Sequence, residues 1–191
     1  MGAGTYHLVT LGCPKNQVDS DKLEGVFAAD GLSPVGEPGD ADLIVVNTCA
    51  FIDEARRESV DTVLALADER RDGARLVVTG CMAERYGGDL DAVLPEVDRV
   101  AGFGVPVTLG RSQEADGSPV PSFDLLNLPR PPSSRPWAYV KVAEGCDRSC
   151  GFCAIPSFRG PQRSRSVGSI LEEVDALGAR EVVLVAQDLA S

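Results

Sequence analysis

Short, almost unbroken apolar runs alternate with stretches of helical periodicity over the first eighty residues of this chain. Residues 6–11 read as a buried strand that runs into Gly12 and Cys13. Residues 16–29 follow with helical spacing, offering Val18, Leu23, Val26 and Phe27 to one face, and Gly31 stands where a helix would stop. Residues 42–47 (DLIVVN) predict a second buried strand, ending at Thr48 and Cys49. A long helix is predicted over 52–71, with Val60, Val63, Leu64 and Ala67 on its apolar side and Gly73 closing it. Residues 75–79 (RLVVT) predict a third strand, followed by Gly80 and Cys81. Strands apolar at consecutive positions, alternating with helices, are the signature of a parallel sheet covered on both faces.

Past Gly102 the alternation fades. Residues 113–136, with Gly117 and six prolines (119, 121, 129, 131, 132 and 136), read as a linker with a short strand around 123–126. A new strand is predicted over 137–142 (WAYVKV), a helix over 166–177 with Ser166 as its N-cap and Gly178 as its stop, and a further strand over 181–186 (EVVLVA). The fold class is therefore α/β, divided into an N-terminal parallel-sheet domain (1–112), the Pro-rich linker (113–136) and the opening of a second βα domain (137–191). A closed βα barrel takes about 250 residues in its common form. Two strands and one helix are only its beginning, so the sequence reads as an N-terminal domain plus an incomplete second one.

The candidate chemistry lies in six cysteines. Cys13, Cys49 and Cys81 are 36 and 32 residues apart, about one βα repeat, and each stands just past a predicted strand. In an open parallel sheet that edge is where ligands bind, so three cysteines distant in sequence are expected to converge. Buried free cysteines packing as small hydrophobes would be the plain alternative for any one of them. Cys146, Cys150 and Cys153 form C-x3-C-x2-C within EGCDRSCGFC. Three thiolates on one loop can each hold an iron of a cubane cluster, whose usual complement is four cysteines, leaving one iron open to a ligand. Zinc is less well served, because its structural sites favour paired C-x2-C knuckles and four ligands.

Composition narrows the partners. Twenty-nine acidic against eighteen basic residues give a net charge of −11, which counts against broad nucleic-acid binding. No signal peptide is visible and no apolar stretch approaches the ~20 residues of a membrane span. Cysteines in such a cytoplasmic chain are read as metal ligands rather than disulfides. Arg159, Arg163 and Arg165 form a local basic cluster, suited either to an anionic ligand or to structural ion pairs.

Together, C-x3-C-x2-C with Phe152 before its last cysteine, TLGCPKN, VNTCAF and VTGCM upstream, and FRGPQRSRS downstream resemble the radical S-adenosylmethionine methylthiotransferases. The resemblance implies that the second domain begins a radical-SAM βα barrel. It implies that Cys146, Cys150 and Cys153 hold a 4Fe-4S cluster chelating S-adenosylmethionine, from which a 5′-deoxyadenosyl radical abstracts substrate hydrogen. It further implies that Cys13, Cys49 and Cys81 hold a second 4Fe-4S cluster carrying the sulfur to be transferred. Phe152, Gln187 and Asp188 become candidate cofactor contacts, the last two standing where the family often has Gly-Gly-Glu. GCPKNQVDSD resembles the branch acting on an aspartate of a small-subunit ribosomal protein, whereas the tRNA isopentenyladenosine branch usually has Gln-Met at Pro14 and Lys15. An external electron donor is implied, and turnover is not expected of these 191 residues alone. A non-catalytic iron–sulfur carrier is the alternative of another class; it would normally complete each cluster with four protein ligands.

Overall fold

The computed structural model describes residues 4–109 and 124–190. Its larger sheet has five parallel strands, β1 (Thr5–Thr10), β2 (Ser33–Pro34), β3 (Leu43–Thr48), β4 (Arg75–Gly80) and β5 (Arg99–Ala101), in the spatial order β2-β1-β3-β4-β5. Register is continuous across the middle: Tyr6 lies beside Leu43 and Leu43 beside Arg75, so β1, β3 and β4 end level with one another. The chain leaves β1 for β2 on one side and returns to β3 on the other. That reversal is a topological switch point, where a crevice opens at the strands' carboxyl ends.

The sheet is covered on both faces because β3 is apolar on both. Leu43 and Val45 pack with Leu23 and Phe27 of α1 (Pro14–Ala29), while Ile44 and Val46 pack with Val63 and Leu66 of α2 (Asp53–Glu69) and with Met82 and Leu90 of α3 (Cys81–Val93). Every residue of β3 is buried. The fold class expected from the apolar pattern is the one observed. Within α2, Leu64 is exposed and Leu66 is buried instead. Ser59, Val63 and Leu66 keep the helical spacing, and Leu64 lies about a quarter-turn off that stripe. Helix α3 and strand β5 were not anticipated, since Gly87 and Gly88 interrupt the helical pattern and β5 is three residues long.

The smaller unit pairs β6 (Trp137–Lys141) with β9 (Glu181–Val185) in parallel, joined through helix α5 (Val167–Leu177). Ser166 caps α5 by accepting the Ser169 N–H, and Gly178 ends it in the left-handed conformation. Between them, β7 (Ala143–Glu144) and β8 (Arg163–Ser164) pair antiparallel and close the base of a loop that carries Cys146, Cys150, Cys153 and the short helix α4 (Ile155–Arg159). The expected strand around 123–126 falls partly outside the described residues; from Leu125 the chain is a turn, with Asp124 accepting the Leu126 N–H at 3.2 Å. No described helix is long and apolar enough to cross a membrane.

Candidate functional site

Cys13, Cys49 and Cys81 stand on one rim. Cys13 is the N-cap position of α1, with Pro14 opening the helix; Cys49 follows β3 directly; Cys81 begins α3 straight after β4. Their strands are neighbours, so the parallel register carries all three to the same edge. The approach is tight. A Cβ on Gly12, whose φ is +91°, would lie 2.9 Å from the Cys49 sulfur. Gly80 repeats the arrangement with φ of +91°, and a Cβ there would meet the Thr48 carbonyl at 2.6 Å. Glycine before a rim cysteine thus lets neighbouring backbones close in where a side chain would wedge them apart.

Polar side chains lock the rim. Asn16 donates to the carbonyls of Leu11 (2.9 Å) and Thr48 (3.0 Å), spanning the switch point. Asn47 donates to the Asn16 carbonyl (2.9 Å), and the Ser59 hydroxyl accepts from the Cys49 N–H (3.2 Å). Burial pushes the Cys81 thiol up, Arg159 pulls it back, and Cys13 and Cys49 nearby add to the rise. Among the described residues no three His, Cys, Asp or Glu side chains are grouped so as to hold a metal ion.

The loop trio is more open: Cys150 is exposed and Cys146 and Cys153 are half-buried. The Cys146 N–H bonds the Gly160 carbonyl (3.1 Å), and the Cys146 sulfur accepts the Arg148 N–H (3.5 Å). Phe152 is 93% exposed and borders a cleft of about 350 Å³ with Ala50, Phe51, Arg85, Ile155 and Phe158. That cleft has the neighbour of Cys49 on one wall and the neighbour of Cys153 on the other. Gln187 donates through Nε2 to Glu144 (2.6 Å), while its Oε1 is buried with no hydrogen-bond partner among the described residues. Asp188 is tied to Arg148, whose Nε donates to it at 2.7 Å. A second cleft, about 240 Å³ and bordered by Gln17, Asp21, Arg130, Trp137 and Tyr139, contains no cysteine.

Between the two trios lies a buried ionic network that the sequence did not announce. Lys141 pairs with Asp19 and with Glu144 (2.8 Å). Arg159 pairs with Glu144 (2.8 Å) and Asp19 (3.5 Å), and donates to Asn16 Oδ1 (3.1 Å) and to the Cys81 sulfur (2.9 Å). Its guanidinium also stacks 4.2 Å from the centre of the Phe103 ring. Burial works to raise the Glu144 pKa, but Lys141 and Arg159 overcome it and hold the carboxylate well below its ordinary range. Of the basic cluster, Arg163 pairs with Asp124 and Arg165 with Glu173, which are structural contacts; Arg159 alone reaches the cysteine rim. Polar residues two to six positions from a cysteine in sequence were the only available hint.

A three-layer parallel α/β domain with a cysteine-lined switch point, joined to a βα unit with its own cysteine loop, defines the class of protein. Residues 5–102 match the model of the uncharacterized protein family UPF0004, and the chain belongs to that family. Curated relatives extend the likeness to nearly the whole chain. A protein of Myxococcus xanthus named ribosomal protein uS12 methylthiotransferase RimO is 45% identical over 98% of this chain and 42% of its own length. Proteins of the same name from Desulfosudis oleivorans (45% identical, 95% of this chain, 45% of theirs) and Thermotoga maritima (41%, 95% and 44%) are similar in the same way. This chain spans less than half the length of these relatives. The resemblance carried by the cysteine motifs is borne out by their names.

Proposed function

We propose that this chain forms the cluster-binding part of a radical S-adenosylmethionine methylthiotransferase that adds a methylthio group to the β-carbon of an aspartate in a small-subunit ribosomal protein. The observation that carries the reading is the pair of contacts by which Arg159 links the two cysteine-bearing segments, donating to the Cys81 sulfur and pairing with Glu144, two residues before Cys146. Cys13, Cys49 and Cys81 would hold one 4Fe-4S cluster and Cys146, Cys150 and Cys153 the other; a several-iron cluster spreads its thiolates wider than a single ion does, which suits a rim not closed around one metal. When bound, these clusters and S-adenosylmethionine supply the radical and sulfur-transfer chemistry.

The protein's own part is to bind and orient. Because Nε2 of Gln187 is committed to a carboxylate, its amide orientation is set and Oε1 faces its surroundings as an acceptor, suited to a cofactor ammonium. Phe152 and Phe158 put aromatic surface on the border of the cleft. Asp188, the other candidate cofactor contact at this strand end, also accepts from Arg148, which lies beside the loop cysteines. Work in the cytoplasm with an external electron donor follows from this reading.

Anaerobic reconstitution of the chain should load about eight irons, two cubanes' worth, and Cys81→Ala about four. About four irons in the parent, unchanged by Cys81→Ala, would remove the rim site. For the substrate, a version extended to the length of its relatives, expressed in a strain lacking both methylthiotransferase activities, should add mass to the ribosomal protein and not to tRNA. A gain on tRNA alone would transfer the reading to the adenosine-modifying branch.

A further inference from the structure

Arg159 has a chemistry that neither the motif nor the relatives' names assign. Its side chain is 2% exposed. A buried guanidinium needs compensation, and it has Glu144 at 2.8 Å and Asp19 at 3.5 Å. Those two carboxylates also compensate buried Lys141, so two acids and two bases balance. The bond from Arg159 to the Cys81 sulfur, 2.9 Å, is therefore additional to a charge-balanced network. Asn16 Oδ1, 3.1 Å from the same nitrogen, fixes its direction. At its other end Arg159 grips Glu144, two residues before Cys146, while the carbonyl of the next residue, Gly160, accepts the Cys146 N–H. One side chain thus touches a ligand candidate of the rim trio and clamps the entry of the loop trio.

We propose that Arg159 is a positioning residue that raises the reduction potential of the cluster held by Cys13, Cys49 and Cys81, through its N–H bond to the Cys81 sulfur and its buried positive charge. The inference rests on the cluster reading above. An iron-bound thiolate still accepts hydrogen bonds, and such bonds, with net charge and solvent exposure, set cluster potentials. A cation held against the sulfur favours the reduced, more negative cluster. A merely structural Arg159 would hold α4 in place without moving the potential.

The test uses the chain carrying C146A, C150A and C153A, so that only the rim trio can hold a cluster. It is reconstituted anaerobically with iron and sulfide, and the potential is read by dithionite titration followed by electron paramagnetic resonance. Arg159→Gln should retain about four irons and titrate at a more negative potential, with an altered resonance spectrum. Arg159→Lys, which keeps the charge but loses the planar fork, should fall between. Arg163→Gln, whose partner is Asp124, should match the parent. An unchanged potential in Arg159→Gln overturns the proposal. Should that variant fail to load iron, Arg159→Lys decides: a potential more negative than the parent's supports the role, and the parent's potential overturns it. Failure of the parent itself to load iron defeats the underlying rim-cluster reading instead.

Discussion

Strands β3 and β9 are near twins in composition and opposites in burial. LIVVNT of β3 is buried at every position, whereas in EVVLV of β9 Leu184 is 51% and Val183 38% exposed. The difference is what packs against them. β3 lies mid-sheet with α1 on one face and α2 and α3 on the other. β9 has β6 on one edge, and the core of its unit is small: Ala138, Val140 and Leu177 with a few half-buried neighbours. An apolar run identifies a strand, but layers and partner strands decide whether it is core.

The contrast can be broken most severely by a charge. Val46→Asp would bury an unpaired carboxylate in β3 and should cost about 4 kcal/mol or more, abolishing a cooperative urea transition. Leu184→Asp in β9 should cost less than about 1 kcal/mol; comparable losses would refute the burial difference. The junction between the units comes next. Lys141→Met leaves Asp19 and Glu144 with Arg159 as their one cationic partner among the described residues, and a loss of about 3 kcal/mol is expected in thermal or urea unfolding. A loss below about 1 kcal/mol would mean that the buried pair is not formed in solution.

A pH dependence is expected at the same junction. Lys22, wholly buried on α1, has its pKa lowered to about 8, chiefly by burial, with Glu173 opposing and Arg165 and Lys141 assisting. Its folded pKa lies below the unfolded 10.5, so between about 8 and 10.5 the unfolded chain binds more protons. Stability contributed by this group therefore rises with pH through that window, by up to about 3 kcal/mol. Lys22→Met should flatten the rise in urea midpoints measured across those pH values, and a parent whose stability falls monotonically there would count against the burial of a titrating Lys22.

Much of the fold was legible because it is written locally. Apolar runs located β1, β3, β4, β6 and β9, and Ser166 and Gly178 marked both ends of α5. Helix faces were read less well where two leucines compete: choosing Leu66 over Leu64 depends on the direction of the sheet. The cysteines were visible as candidates because their phase repeats with the βα unit. Their setting was not. Lys141 sits in an apolar strand and gives no hint that Asp19, 122 residues away, lies against it.

By itself, the sequence determined the alternation of strand and helix, the phase of three cysteines against three strands, and the spacing of three more on one loop. Those are consequences of backbone periodicity and short-range spacing. Only the tertiary structure decided that Arg159 of the basic cluster reaches the Cys81 sulfur and Glu144 beside the cysteine loop while its neighbours make other ion pairs, and that β9 is exposed where β3 is core. Burial and charge pairing depend on which distant segments meet, and no local pattern encodes the partner.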